Sequence, residues 1–127
     1  MVADKNERCE PADEPGLRAA RRAAILRAIE RRSADQTLSA LTIAKQLGIT
    51  PRYVHLLLEE TGKSFTHHVL DHRLEKASTL LRDPRWRDHK ITDIAAEAGF
   101  ADLSYFNRTF RQRFGATPSR IRAGQRE

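Results

Sequence analysis

Four polar residues near the C-terminus, Ser104, Asn107, Arg108 and Arg111, recur at helical spacing. At about 100° per helical residue they fall within one outward arc, opposite Phe106 and Phe110. Arginine can bond guanine O6 and N7 with two hydrogen bonds, asparagine can bond adenine, and serine can bond a base or a phosphate. The predicted base-facing residues are Ser104, Asn107 and Arg108, and the predicted phosphate contact is Arg111.

Fixed positive charge surrounds this arc. Residues 103–126 include six arginines and no acidic residue, and the 127-residue chain has a formal net charge of +6. Such a balance favours nucleic acid, acidic proteins or anionic membrane surfaces as partners, and charge alone does not choose among them. The ordinary alternative is that the arc is only the solvated face of a soluble helix.

Composition limits the size and the class of the protein. With 39% hydrophobic residues, the chain has material for one modest core or two very small ones, and no apolar run is long enough to cross a membrane. Cys9 is the only cysteine, so the chain needs no oxidising compartment and a cytoplasmic location is expected. The sequence has neither a nucleophile-elbow serine nor a phosphate-binding glycine loop, so neither an enzyme nor a cofactor is expected.

An all-α fold is predicted, because apolar residues recur at helical spacing and no segment alternates as a half-buried strand does. Residues 1–16 are expected to form a polar, disordered tether, which leaves 17–127 as the folded part. Ser39 and Thr50 are expected N-caps, and Gly48 is expected to end the helix between them. The predicted helices cover about residues 17–33, 39–47, 51–61, 64–82, 91–98 and 102–114, with a last turn or two capped by Thr117.

An internal repeat refines this prediction. The segment IAKQLGI at residues 43–49 is echoed by IAAEAGF at residues 94–100, and a short turn and an apolar-periodic helix ending in glycine follow each copy. The alanine and the glycine four residues later permit the close, steep approach of two helices that a helix-turn-helix requires. The sequence therefore predicts a first helix-turn-helix at about 38–62, a linker helix at about 64–82 and a second helix-turn-helix at about 91–115.

The predicted linker helix has a length suited to duplex DNA. About 19 residues would extend roughly 28 Å, close to the roughly 34 to 36 Å between successive major-groove openings on one side of the duplex. One monomeric chain could then place two recognition helices in consecutive grooves.

The equivalent arc of the first repeat is a poorer surface for reading DNA. It contains Arg52, His55, Leu56 and Glu59, of which only Arg52 and His55 are obvious donors. Leu56 either touches a thymine methyl group or packs against a neighbouring element, and Glu59 would lie near phosphates unless it turns away or accepts from a cytosine amine. The first repeat is expected to contribute less affinity than the second.

Two other features favour structural interpretations. His67, His68, Asp71 and His72 have the spacing of a helical metal site, but a closed site needs a further ligand and a dry shell, so no metal is expected. Trp86 is expected to cover the core rather than to lie on a nucleic-acid backbone.

With these motifs in view, the chain resembles the C-terminal DNA-binding domain of the AraC/XylS family of bacterial transcription regulators. The resemblance extends over about residues 38–122 and is most specific in ITDIAAEAGFADLSYFNRTFRQRFGATPSRIR at residues 91–122. There the isoleucine-alanine, glycine-phenylalanine and phenylalanine-glycine-x-x-proline elements occur at the family's spacing. The segments GITPRYVHLLLEETGKSF and RLEKASTLL resemble the family's first motif and linker helix.

The resemblance implies about seven helices, in two homeodomain-like three-helix units joined by the linker helix. It also implies sequence-specific binding of double-stranded DNA to regulate transcription, as an activator that contacts RNA polymerase. The family's base-facing positions fall here on Arg52, His55, Leu56, Leu103, Ser104, Asn107 and Arg108. The helical wheel instead places Leu103 nearer the core.

The chain departs from the family pattern in the first motif and the linker helix. Leu56 stands where arginine is usual, Leu58 where phenylalanine is usual, and His68 where an aromatic residue is usual. The first departure puts base readout by the first motif in doubt, whereas leucine for phenylalanine is a tolerable core change.

Two alternatives stay open at the level of the whole protein. The chain is either a stand-alone regulator or the C-terminal part of a longer sensor-regulator, and its acidic, proline-containing opening favours the second. A rival from another class is a protein-interaction module that keeps the fold and has lost independent DNA recognition, an idea motivated by Leu56 and Glu59.

Overall fold

The structure, a computed structural model, describes residues 14–124, and these residues form seven α-helices and no strand. The predicted all-α fold class is therefore confirmed. A single 3-10 turn, Pro84–Trp86, lies between the fourth and fifth helices. The helices are α1 (Pro15–Arg32), α2 (Ala40–Leu47), α3 (Pro51–Glu59), α4 (Phe65–Arg82), α5 (Ile91–Ala98), α6 (Leu103–Phe114) and α7 (Pro118–Gly124).

The N-terminal tether predicted for residues 1–16 lies mostly outside the described residues. The first helix begins at Pro15, two residues before the predicted start at Leu17. Proline at the start of a helix costs nothing, since the first amides of a helix have no intrahelical partner. Within residues 14–124 no helix is both long enough and apolar enough to span a membrane.

Side-chain caps fix where the recognition elements begin. The Ser39 hydroxyl accepts from an α2 amide at 3.2 Å and the Thr50 hydroxyl accepts from the Tyr53 amide at 3.0 Å, so both predicted N-caps are confirmed. Asp102 caps α6 in the same way, accepting from the Tyr105 amide at 3.2 Å. Each cap satisfies an amide that the first helical turn leaves without a partner.

The internal repeat extends to individual backbone hydrogen bonds. The Ile49 amide donates to the Ala44 carbonyl at 3.0 Å, and the Phe100 amide donates to the Ala95 carbonyl at 2.9 Å. In both copies the glycine before the donor has a positive φ, as a left-handed helix end requires. The two turns are therefore built alike, and each leads into a capped recognition helix.

The described residues fold as two compact units. Unit 1 holds the residues up to Arg32 together with Thr37–Val69, and unit 2 holds Ser33–Gln36 together with the residues from Leu70 onward. The chain passes from unit 1 to unit 2 within α4, whose first residues belong to unit 1 and whose remainder belongs to unit 2.

The core of unit 1 packs α1, α2 and α3 against the start of α4. Outside this core, Glu60 at the end of α3 accepts from Arg18 and Arg22 of α1 at 2.5 Å each, so an ion pair joins the two helices at the surface. The fully buried side chains are Ile25, Ile29, Ile43, Tyr53, Val54, Leu57 and Leu58.

The core of unit 2 is built around phenylalanine. Neighbouring rings lie 4.8 Å apart between Phe100 and Phe106, 5.5 Å apart between Phe106 and Phe110, and 4.5 Å apart between Phe110 and Phe114. These tilted contacts fall within the favourable range for aromatic pairs. The aliphatic part of this core comes from Leu74, Ala77, Leu81, Ile94, Ala95 and Ala98.

Candidate nucleic-acid interface

The polar side of α6 faces solvent because its phenylalanines anchor the opposite side. Phe106 and Phe110 are fully buried, whereas Ser104, Asn107 and Arg108 are exposed. Thr109 is also buried, and its hydroxyl donates to carbonyl oxygens of the preceding turn, so its polar atom is satisfied. The amphipathic pattern of the sequence therefore sets the rotation of α6.

The polar residues of α6 share one surface. Ser104, Asn107, Arg108 and Arg111 line a shallow, open concavity with Gln112 and Gly115. The structure thus brings together the four residues that the sequence predicted for the second motif. Gln112 was not predicted, although extending the helical wheel by one turn beyond Arg108 would have included it.

The arginines of α6 differ in their partners. Arg113 donates to the Glu75 carboxylate at 2.6 Å, so its charge is offset by α4. Within residues 14–124 neither Arg108 nor Arg111 has a carboxylate at ion-pair distance. The concavity therefore carries two positive charges that no carboxylate of residues 14–124 offsets by an ion pair, and such charges favour contact with the phosphates and base edges of DNA.

The position expected for Leu103 is wrong. The helical wheel placed this residue nearer the core, yet it is 41% exposed and lines a groove with Ile91, Thr117 and Pro118. Leu103 is the first residue of α6, and the neighbouring residues Ile91, Thr117 and Pro118 cover it only in part. A helical wheel gives the direction of a side chain and does not show how far the covering elements extend.

The first motif presents a different surface. Arg52, His55 and Glu59 on α3 are exposed, and the His55 ring meets the Phe65 ring edge-on at 6.4 Å. Leu56 is half-buried and packs against the core of unit 1. Of the two alternatives for Leu56, the structure favours packing over contact with a thymine methyl group.

One histidine of α4, His68, contacts the turn after α3. The Nε2 atom of His68 lies 2.8 Å from the hydroxyl of Thr61, and that hydroxyl donates to the Leu58 carbonyl at 2.6 Å. In the described part of the chain, no three histidine, cysteine or acidic side chains are grouped as metal ligands.

Trp86 is half-buried and packs over the core of unit 2, as the sequence interpretation favoured. Its ring lies 4.3 Å from the His89 ring. Arg122 of α7 donates to the carbonyl oxygens of Arg87 and His89, which ties this loop to the C-terminal helix.

Two similar helix-turn-helix turns, each followed by a capped recognition helix, define the class of double helix-turn-helix proteins. A family model described as a helix-turn-helix domain matches residues 43–124. The chain belongs to the AraC/XylS family of helix-turn-helix transcription regulators. Members of this family are DNA-binding regulators, and nothing in the family match indicates catalysis.

Curated relatives share the sequence over most of this chain. It is 38% identical over 102 residues to the transcriptional activator RhrA of Rhizobium meliloti (strain 1021). This alignment covers 80% of this chain and 32% of RhrA. The chain is 36% identical over 108 residues to the uncharacterized HTH-type transcriptional regulator YijO of Escherichia coli (strain K12), with 82% and 37% covered. The chain thus spans about a third of the length of these relatives.

Solved structures share the fold. The C-terminal domain of AraT, a response regulator from Geobacillus stearothermophilus, superimposes with a TM-score of 0.72 at 26% identity, covering 81% of this chain and 84% of that chain. A transcriptional regulator from Chromobacterium violaceum, described as containing an AraC-type DNA-binding domain, superimposes with a TM-score of 0.70 at 26% identity. The superposition covers 81% of this chain and 89% of that chain.

Proposed function

We propose that this chain binds double-stranded DNA sequence-specifically and thereby regulates transcription. The observation that carries the proposal is the exposed face of α6, where Ser104, Asn107, Arg108 and Arg111 line one surface to which residues 14–124 contribute no carboxylate. The major groove of B-DNA admits an α-helix, and these side-chain types match the donors and acceptors on base edges.

Each residue of this face has a proposed role. Arg108 bonds guanine O6 and N7, Asn107 bonds adenine, and Ser104 bonds a base or a phosphate. Arg111 binds a backbone phosphate, which positions α6 without carrying sequence information. Arg108 and Arg111 have no carboxylate partner among the described residues, so DNA binding breaks no ion pair between these two arginines and residues 14–124.

The first motif takes a lesser part in this proposal. Arg52 and His55 of α3 are exposed and supply its donors, while Leu56 supports the core of unit 1. The 18 residues of α4 extend about 27 Å, a length suited to a monomer with α3 and α6 in successive major grooves.

The proposal extends to the longer protein. RhrA is named a transcriptional activator, and this chain covers 32% of it. We take the chain to be the C-terminal part of a longer sensor-regulator that activates transcription by contacting RNA polymerase from the bound promoter.

Selection from a random pool of duplexes tests the proposal. Enrichment of a motif about 15 to 20 base pairs long is expected if both recognition helices read bases, and a motif about half that length is expected if only α6 does. Equal, salt-sensitive binding to every duplex, with no enriched motif, would contradict sequence-specific recognition.

A second candidate function is a protein-interaction module with the same fold. It is favoured by the packing of the half-buried Leu56 against the core of unit 1 and by the exposure of Leu41, which is 51% accessible on α2. The salt dependence of binding separates the two functions. For a DNA binder, the logarithm of the affinity falls linearly with the logarithm of the salt concentration, with a slope of about −0.9 for each phosphate neutralised. A mainly apolar protein contact would be nearly independent of salt.

A further inference from the structure

A segment of the α1–α2 connection packs on the turn of the second motif within unit 2. Ser33 is buried, and the Gln36 side-chain amide donates to the Phe100 carbonyl at 3.3 Å. Phe100 directly follows Gly99 in the turn between α5 and α6. The turn therefore contacts Ser33–Gln36 in addition to its own two helices.

Arg73 of α4 holds this segment. Its Nε donates to the Ser33 carbonyl at 2.7 Å, and its Nη2 donates to the Asp35 carbonyl at 3.0 Å. The planar fork of an arginine can bond two carbonyl groups at once, which a lysine cannot do with the same geometry. Partial burial lowers the pKa of Arg73, with the Asp35 carboxylate acting in the opposite direction, and the guanidinium stays charged.

Gly99 is the point of closest approach. A Cβ atom at Gly99 would lie 2.7 Å from the Ser33 carbonyl oxygen and 2.8 Å from the Arg73 Nε. At Gly48, the equivalent glycine of the first motif, a Cβ atom would meet nothing within 4 Å. The two turns share the hydrogen bond from the residue after the glycine to the alanine carbonyl. Among residues 14–124, another segment lies against the glycine in the second turn and not in the first.

We propose that Arg73 is a positioning residue for DNA reading by α6. By holding Ser33–Gln36 against the Gly99 turn, it fixes the angle at which α6 leaves α5, and with it the direction of Ser104, Asn107 and Arg108. This inference rests on the proposed function of the α6 face, since Arg73 itself is not on that face.

Amide hydrogen exchange tests the positioning without DNA. In Arg73→Met, which removes both donors and keeps the aliphatic stem, exchange of the amides of residues 99–103 is expected to accelerate about tenfold. The amides of the first turn, residues 48–50, are the internal control and are expected to be unchanged. Unchanged rates at residues 99–103 would overturn the proposal.

Base preference tests the consequence. Arg73→Met is expected to reduce the discrimination between bases in the half-site read by α6 by about fivefold, and Arg73→Lys is expected to restore part of it. The other half-site keeps its preference. A loss of affinity shared by both half-sites, with no rescue by lysine, would indicate a merely structural arginine and overturn the proposal.

A milder variant, Gln36→Ala, and a matched pair of glycine variants keep the test decisive if Arg73→Met does not fold. Gln36→Ala removes an exposed side chain that contacts the turn, and a smaller acceleration at residues 99–103 is expected. Gly99→Ala is compared with Gly48→Ala, since both impose an alanine on a positive φ and only the first meets Ser33 and Arg73. If Gly99→Ala and Gly48→Ala accelerated amide exchange equally, each in its own turn, the positioning role would be overturned.

The outcomes also separate this inference from the proposed function. If the wild-type chain shows no base preference, the proposed function fails, and the exchange rates still decide whether Arg73 holds the turn. If wild-type preference is clear and Arg73→Met changes neither exchange nor preference, only the positioning role fails.

Discussion

The guanidinium carbon of Arg108 lies 5.5 Å from the centroid of the Tyr105 ring. Tyr105 is half-buried, and its ring lies 6.3 Å from that of Phe100 in the core. The exposed arginine is therefore held over a ring that is itself packed, a favourable cation–π geometry. An arginine restricted in this way loses less side-chain entropy when it bonds a base edge. In the first repeat, the equivalent tyrosine, Tyr53, is fully buried.

Replacing Arg108 is expected to remove specificity. Arg108→Ala should cost about 1 to 3 kcal/mol at the selected site and flatten preference at the base pair it contacts. The measurement is a binding series with each base substituted in turn. Arg113→Ala is the matched control, because it removes the same charge from α6 at a residue paired with Glu75. An unchanged base preference in Arg108→Ala would refute its role.

Replacing Arg111 is expected to weaken binding to all sequences alike. Arg111→Gln should make the slope of log affinity against log salt shallower by about 1, because one phosphate contact is lost. Binding to the selected duplex and to a scrambled duplex is titrated with salt. If only the selected duplex lost affinity, Arg111 would be a base contact instead.

Replacing Leu56 is expected to change stability more than recognition. Leu56 is half-buried against the core of unit 1, so Leu56→Ala should lower the free energy of unfolding by about 1 kcal/mol, part of the value for a fully buried leucine. Urea unfolding measures this change, and selection measures base preference. An altered half-site with unchanged stability would show that Leu56 contacts DNA.

The Glu60 ion pair predicts a dependence of stability on pH. Hydrogen bonding from Arg18, with the charges of Arg18 and Arg22, holds the pKa of Glu60 below its ordinary range. A carboxyl with a lowered folded-state pKa stabilises the fold above its unfolded pKa, and that contribution is lost as pH falls through the folded pKa. The wild-type chain should therefore be slightly more stable than Glu60→Gln at pH 7, and the difference should shrink as pH falls below the ordinary glutamate pKa of about 4.3 and through the lower folded-state pKa.

Unfolding of both chains from pH 7 to pH 3 checks this expectation. Glu59→Gln removes the same charge one residue earlier and leaves the bonds from Arg18 and Arg22 in place. It should therefore not reproduce the loss of stability at pH 7. If the difference in the free energy of unfolding between wild type and Glu60→Gln grew as pH fell, its pH dependence would be opposite to the expected one. That result would reject the stabilising role of this ion pair.

Features determined by a few adjacent residues were predictable from sequence. The caps Ser39 and Thr50 and the helix-ending Gly48 act within four or five residues, so their signals are local. The outward arc of α6 was also predictable, since helical geometry relates Ser104 to Arg108 once Phe106 is taken as buried.

Features that depend on distant segments were not predictable. Arg73 bonds Ser33 across 40 residues, and Gln36 bonds Phe100 across 64 residues, with no periodicity to indicate either contact. The exposure of Leu103 and the partial burial of Leu56 likewise depend on which element lies beside them. For the same reason the helical wheel was wrong about the exposure of Leu103, and the sequence did not decide whether Leu56 contacts DNA or packs against a neighbouring element.

Gly48 and Gly99 end equivalent helices, but their surroundings leave unequal room for a side chain. At Gly48, asparagine is an accessible replacement, because it tolerates left-handed backbone and its side chain would have open space. At Gly99 any side chain must displace the Ser33 backbone, so an accepted substitution needs a compensating change in a segment far away in the gene. Two copies of one motif therefore differ in the substitutions they can accept, and we expect the second turn to tolerate fewer replacements of its glycine than the first.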